Sequence, residues 1–231
     1  KISESQKTQE TQDDIRHAIE NDNADLLLEL STDKPIDEFR LKCDLGLIKL
    51  LLPNKQNNEL TSIQASALYG ATKCFKVLLM NGQMIDDDTC KFAIADGGTE
   101  IIHILEQNGA SFVDCLETAM VTHRSEIFEW LDTRYKFGKI PFSKCISAFN
   151  EAVFFLYINE EYDINELDLN NDAPIIVASQ KGLLCIVDYL VNHGADINAK
   201  NKTKRTPLMC AASRGFYTIS ELLVNKGCTI D

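Results

Sequence analysis

The stretch Arg205–Gly215, RTPLMCAASRG, repeats the pattern of Asp172–Gly182, DAPIIVASQKG, thirty-three residues earlier, with Pro over Pro, Ala over Ala and Gly over Gly. A fixed internal period restricts the fold more than any local propensity, because each copy must be one supersecondary unit that stacks on the next. The period extends through the chain. Taking the apolar residue late in each unit as a marker gives Leu51, Leu78, Leu105, Leu131, Tyr157, Leu190 and Leu223, with steps of 27, 27, 26, 26, 33 and 33. Ala93, Ala119, Ala178 and Ala211 move with them, as do Gly70, Gly97, Gly182 and Gly215 at mid-unit and Gly82, Gly109, Gly194 and Gly227 at the end.

Each unit has the same local grammar. A short segment with small residues, such as AIADG or AASRG, suits a helix squeezed between neighbours. Glycine then allows a left-handed turn. A second segment follows, such as LLCIVDYLVNHG, in which Ile186, Val187 and Leu190 make one apolar stripe at helical spacing. The pattern predicts pairs of short antiparallel helices that bury their apolar faces only by stacking.

DAPIIVASQKGLLCIVDYLVNHGADINAKN and RTPLMCAASRGFYTISELLVNKG resemble ankyrin repeats, whose pattern runs from a T-P-L-H turn through paired Ala, Gly and a Leu-rich second helix to G-A-D-I-N. A third copy led by KIPFSKCISAF, with Pro141, and the YDIN at Tyr162–Asn165 extend the resemblance over residues 139–231. Residues 60–138 are similar to the compact, degenerate ankyrin segments of expanded families in single-celled eukaryotes, and residues 13–59 resemble the pattern weakly. The resemblance implies an all-α ankyrin-type solenoid of six to seven helical-hairpin repeats. The expected organisation is a polar, fraying segment 1–12, degenerate short repeats over 13–138 and repeats with full-length fingers over 139–231, in one continuous solenoid.

Step length predicts finger length. Two short helices and their turns need about 24–27 residues. The longer step leaves six or seven more, which the ankyrin resemblance implies build a β-turn finger near 162–173 and 195–206, with short or absent fingers over 80–140 and little strand anywhere. The family's His in T-P-L-H is Ile176 or Met209 here, and its Thr is Ala173 in one copy. The Thr–His hydrogen bonds between repeats are therefore expected to be lost or replaced. The family's mid-unit Gly is Phe149 in one copy and His123 in another, which predicts strained turns there.

Charge and chemistry narrow function. The formal charge is −12, with 11 basic and 20 acidic residues over 1–115 and 12 and 15 over 116–231. Such a chain is a poor match for nucleic acid. No apolar run is long enough for a membrane span, and no signal segment is expected. The first residues, KISESQKTQETQ, and the last, GCTID, suggest a fragment of a longer protein. Eight dispersed cysteines read as buried free thiols in a reducing, cytoplasmic setting. His17, His103, His123 and His193 share no metal-ligand spacing, and H-E-x-x-H, G-x-S-x-G and the phosphate-loop pattern are absent from the sequence. Asp86–Asp88 lacks the ligand alternation of a calcium loop and reads as a helix start. No enzyme, cofactor or metal is expected. Trp130, Phe154 and Phe155 read as core.

The ankyrin resemblance implies a scaffold that binds a partner protein through the concave surface of finger tips and first helices. By position along the motif, the candidates are Leu169, Asn170, Asp172, Gln180 and Lys181 in the penultimate repeat and Lys202, Thr203, Arg205, Ser213 and Arg214 in the last. The stretch AKNKTKR makes the last finger basic, suited to an acidic peptide or to the acidic half of another copy, a solvated turn being the plainer reading. Two further readings stand beside this one. The chain is a regulatory or targeting segment of a larger enzyme or channel, or it self-associates, which is not favoured.

Overall fold

The computed structural model describes residues 4–31, 39–137, 142–158 and 163–230. Pro141 and Tyr162, on which the repeat series also draws, lie outside the described residues. The chain forms two compact units, residues 1–136 and 137–231.

The first unit contains four helix pairs: α1 (Glu4–Glu20) with α2 (Ala24–Leu30), α4 (Ser62–Leu68) with α5 (Thr72–Met80), α6 (Asp87–Ala95) with α7 (Thr99–Gln107), and α8 (Leu116–Val121) with α9 (Ser125–Tyr135). First helices pack on first helices, α1 on α4, α4 on α6 and α6 on α8, while α2 packs on α5 and α5 on α7. The small residues that the pattern places in the first helices are the reason. Ala65, Ala67, Ala93 and Ala119 are fully buried, and no bulkier side chain would allow backbones to come so close. The markers Leu78, Leu105 and Leu131 are also fully buried.

One marker is corrected. Leu51 is the last residue of α3 (Leu45–Leu51), which is enclosed by an antiparallel ribbon of β1 (Arg40–Lys42) and β2 (Glu59–Thr61). The second-helix place before Leu78 belongs to Leu27 of α2. A short amphipathic helix inside an insertion happens to lie one step away, and spacing alone cannot distinguish it from a repeat helix. The ribbon is short, as the expectation of little strand allows; its central pair, Leu41 opposite Leu60, is buried.

Polar ties join the hairpins of this unit. Thr61 and Gln64 make a capping box at α4, and the Gln64 amide reaches on to Asp86, the N-cap of α6, at 2.8 Å. Asp87 and Asp88 then occupy the first turn of α6, as read from the sequence.

The second unit repeats the scheme: α10 (Phe142–Ser147) with α11 (Glu151–Tyr157), α12 (Pro174–Lys181) with α13 (Leu184–Asn192), and α14 (Pro207–Ser213) with α15 (Tyr217–Asn225). Its core is Ile146, Val153, Phe154, Ile175, Ile176, Ile186, Val187, Leu190, Ile219 and Leu223, each essentially without exposed surface. Phe155, expected in the core, is 42% exposed, because its side chain leaves the stripe that Val153 and Phe154 share. Trp130 is half-buried rather than core, edge-on to Phe112 with ring centroids 5.8 Å apart.

The departures from glycine are where the sequence placed them. His123 and Phe149 hold φ of 58° and 56°, the left-handed conformation that Gly182 and Gly215 adopt at the matching turns. Each costs about 1–2 kcal/mol in a residue with a side chain. Connections also follow the step lengths. After the insertion that holds α3, residues 81–86 and 108–115 separate consecutive pairs in the first unit, against 158–173 and 193–206 in the second.

Candidate protein-interaction site

The two long fingers are built by the same bonds, one period apart. In the first, the Asp168 carboxylate accepts the N–H groups of Asn170 and Asp172, both at 2.8 Å. In the second, the Asn201 side-chain oxygen accepts those of Thr203 and Arg205 at 3.0 and 2.9 Å. Each turn is closed by a residue in the left-handed region, Asn171 (φ 63°) and Lys204 (φ 60°). Asp and Asn at the start of a turn stabilise it by this self-bonding.

The fingers are tied together by the Asn of each D-I-N. Asn165 accepts the N–H of Asp196 at 2.8 Å, and Asn198 accepts that of Thr229 at 2.9 Å. These bonds join successive repeats at the base of the fingers, away from the helix starts where the Thr–His ties were expected to be lost or replaced. Thr206 keeps only its local role, accepting the Met209 N–H as the N-cap of α14, and Ala173 at the start of α12 makes no side-chain cap bond.

Against this frame the ten candidates separate. Leu169 is 99% exposed. Asn170, Lys202, Thr203, Arg205, Ser213 and Arg214 are exposed, while Asp172, Gln180 and Lys181 are half-buried. Some of their polar atoms are already engaged. The Thr203 hydroxyl donates to Asn201, that of Ser213 donates to the Cys210 carbonyl, and the Gln180 amide approaches the Cys210 sulfur at 3.6 Å. The cations keep their heads outward. Lys202 Nζ reaches the Leu169 carbonyl at 3.4 Å, and the Arg205 guanidinium reaches that of Met209 at 3.3 Å. The finger residues lie before the first helices and Gln180, Lys181, Ser213 and Arg214 at their far ends, so the candidates fall in two rows separated by about 10–12 Å, the length of a two-turn helix.

Burial and the neighbouring Asp168 raise the Asp172 carboxyl above its usual range, while the Asn201 amide and Lys202 pull it back down. Phe149 was read from the sequence only as a strained turn. It is 47% exposed and lies under the Lys181 ammonium, 4.5 Å from the ring centroid. An aromatic residue in a glycine position one period before Gly182 was the signal that could have added it to the candidates.

Among the described residues, no three His, Cys, Asp or Glu side chains converge as metal ligands, and no helix is long and apolar enough to cross a membrane. The cysteines are free; Cys185 is exposed, Cys43 half-buried and the other six buried. Burial raises the thiols of Cys74 and Cys90 to about 12 and that of Cys145 to about 11, and pushes Cys115 up further. A raised folded-state pKa contributes stability that is complete below the unfolded thiol value and is lost as pH rises through the folded value. Unfolding free energy is therefore expected to hold to about pH 8. From about pH 9 it should fall, by up to about 1.4 kcal/mol per pH unit for each of Cys74, Cys90, Cys115 and Cys145. Denaturant titration between pH 7 and 10.5 checks this, and Cys90→Ala should flatten the decline. A profile unchanged by that substitution contradicts it.

Residues 144–231 match the family described as ankyrin repeats (3 copies), and residues 80–157 match one described as a domain of unknown function (DUF3447). Among solved structures, the crystal structure of the human ASB11 ankyrin repeat domain aligns with a TM-score of 0.63 at 16% sequence identity, covering 94% of this chain and 99% of that one. No curated protein sequence matches the chain. The bonded fingers, the stacked small-residue helices and these likenesses lead to one conclusion: residues 144–231 carry ankyrin repeats, and most of the chain has the fold of an ankyrin repeat domain.

Proposed function

We propose that this chain is a non-catalytic interaction scaffold of a reducing intracellular compartment, the cytoplasm, and that it grips a partner protein with the finger tips and exposed first-helix ends of residues 139–231. Ankyrin repeats are protein-interaction modules, and their concave side is the usual contact face. The observation that carries the reading is the contrast between frame and display. The two fingers share their turn bonds and left-handed residue, yet the side chains at matching tip positions differ in kind: Leu169 against Lys202, Asn170 against Thr203 and Asp172 against Arg205. A frame held fixed while its displayed chemistry varies suits recognition, and its rigidity lowers the ordering entropy that binding costs. Dispersed, buried thiols and an acidic surface agree with this setting and argue against a nucleic-acid partner.

Affinity capture with the immobilised chain tests it. Proteins retained by the wild type should also be retained by Glu221→Lys on the exposed side of α15. The double variant Leu169→Asp/Arg205→Glu should lose them by about tenfold or more, since each change removes on the order of 1.4 kcal/mol or more at a contact. Equal capture by all three proteins would sink the reading.

A further inference from the structure

Among the described residues, the basic finger tip makes no ion pair. Lys200, Lys202, Lys204 and Arg205 fall in one short stretch of a chain whose formal charge is −12, and all four are exposed. None of them pairs with a carboxylate among the described residues, where the ion pairs belong to Arg16, Lys76, His103 and Arg134. Lys202 and Arg205 meet only neutral carbonyl oxygens, those of Leu169 and Met209. The tip thus makes no direct ion pair among the described residues, its electrostatic partner there being Asp172, whose carboxyl pKa Lys202 lowers.

Lys204 adds a second, independent observation. It occupies the left-handed position of its finger with φ 60°, where the preceding finger has Asn171 at φ 63°. Asparagine visits this region readily, whereas lysine does so at a cost. The fold accepts an easier residue at this place and carries a strained cation instead. Strain kept where the frame does not require it points to a use for the side chain. Beside the cations stands Leu169, almost fully exposed, with its carbonyl bound by Lys202.

We propose that the tip at residues 200–205, with Leu169, is a docking site for an extended, acidic segment of a partner protein that carries an apolar residue for Leu169. This rests on reading the finger face as the binding surface, and it names the chemistry of what binds there. The nearby acids do not cancel the attraction. Asp168 spends its carboxylate on the turn N–H groups, and Asp172 is half-buried beside Asn201. A short acidic segment meets the finger alone. A long polyanion or an anionic membrane would also have to approach the rest of an acidic chain, which repels it. Arg214 and Lys181 stand one helix length away, about 10–12 Å. An extended strand covers that distance in about three residues, so acidic residues at every third position fit both rows.

The test is fluorescence anisotropy with a labelled peptide of about twelve residues, Glu at every third position around one central Leu in a Gly/Ser background, against the same peptide with Gln for Glu. The Glu peptide should bind, weaken at least about tenfold between low and high salt, and weaken about tenfold or more with Arg205→Glu. The Gln peptide should not bind. Lys204→Asn separates use from structure: it should raise Tm by about 1–3 °C by relieving strain, yet weaken the peptide several-fold. Equal binding of the two peptides overturns the proposal, as does an affinity indifferent to both substitutions. Arg205-dependent binding to anionic phospholipid vesicles, or Arg205-dependent self-association in sedimentation, without peptide binding, overturns it in favour of those occupants. If the peptide fails while Leu169-dependent partner capture persists, this inference falls and the interaction reading stands.

Discussion

Gly97→Ala is expected to destabilise the first unit by about 3 kcal/mol or more, a loss of roughly 6–12 °C in Tm. The reason is contact, not dihedral freedom. A β-carbon on Gly97 would lie 2.5 Å from the Ala67 carbonyl oxygen, 2.6 Å from that of Ala93 and 2.8 Å from the Ala93 α-carbon. All three are backbone atoms of α4 and α6, which cannot swing aside as a side-chain tip can. The Gly97 carbonyl also accepts the Arg124 guanidinium at 2.8 Å, so this one residue touches three successive hairpins. Gly98 supplies the control. Nothing lies within 4 Å of a β-carbon placed there, and Gly98→Ala should change stability by no more than about 0.5 kcal/mol. Thermal unfolding of the two variants side by side decides the matter. Equal Tm values would mean that α4 and α6 do not approach as closely as described.

Phe92→Ala should cost about 3–5 kcal/mol. Phe92 is fully buried in α6, which packs on α4 before it and α8 after it. Truncation opens a cavity between α6 and first helices whose buried residues include the small Ala65 and Ala119, which have no rotamers with which to fill it. The loss is a large part of the about 5–15 kcal/mol that holds a typical domain. Because stacked repeats share stability between neighbours, amides in α4 and α8 should lose exchange protection together with α6. Phe155→Ala, at a 42% exposed site, should cost about 1 kcal/mol or less. Loss confined to α6, or similar costs at the two sites, would contradict the stacking.

Much of this architecture is legible in the sequence because it rests on periodicity and on backbone requirements. Alanine at each first helix and leucine at each second helix report packing between neighbours. The left-handed turns at His123 and Phe149 follow from alignment with glycine, and finger length follows from the step. Elsewhere the signal is ambiguous in physical terms. Leu51 carries the apolar spacing of a repeat helix, but only tertiary pairing of Leu41 with Leu60 shows that α3 sits within an inserted ribbon. In Glu151–Tyr157 the residues are apolar almost all round, so the sequence could not tell Phe154, buried, from Phe155, exposed. The finger positions were readable from the motif. Their bonding was not, because the hydrogen bonds from Asn165 and Asn198 cross between repeats.

Methyl-resolved nuclear Overhauser spectroscopy on the second unit tests most directly whether each hairpin is covered by its sequence neighbours alone. Ile146 of α10 should show contacts to methyl groups of α12, and Leu190 of α13 to Ile219 and Leu223 of α15, in line with α10 packing on α12 and α13 on α15. Contacts from Ile146 or Val153 directly to Ile219 or Leu223 should be missing. Strong signals between those pairs would reveal a single shared core, and with it the stacked frame that holds out the fingers would be refuted.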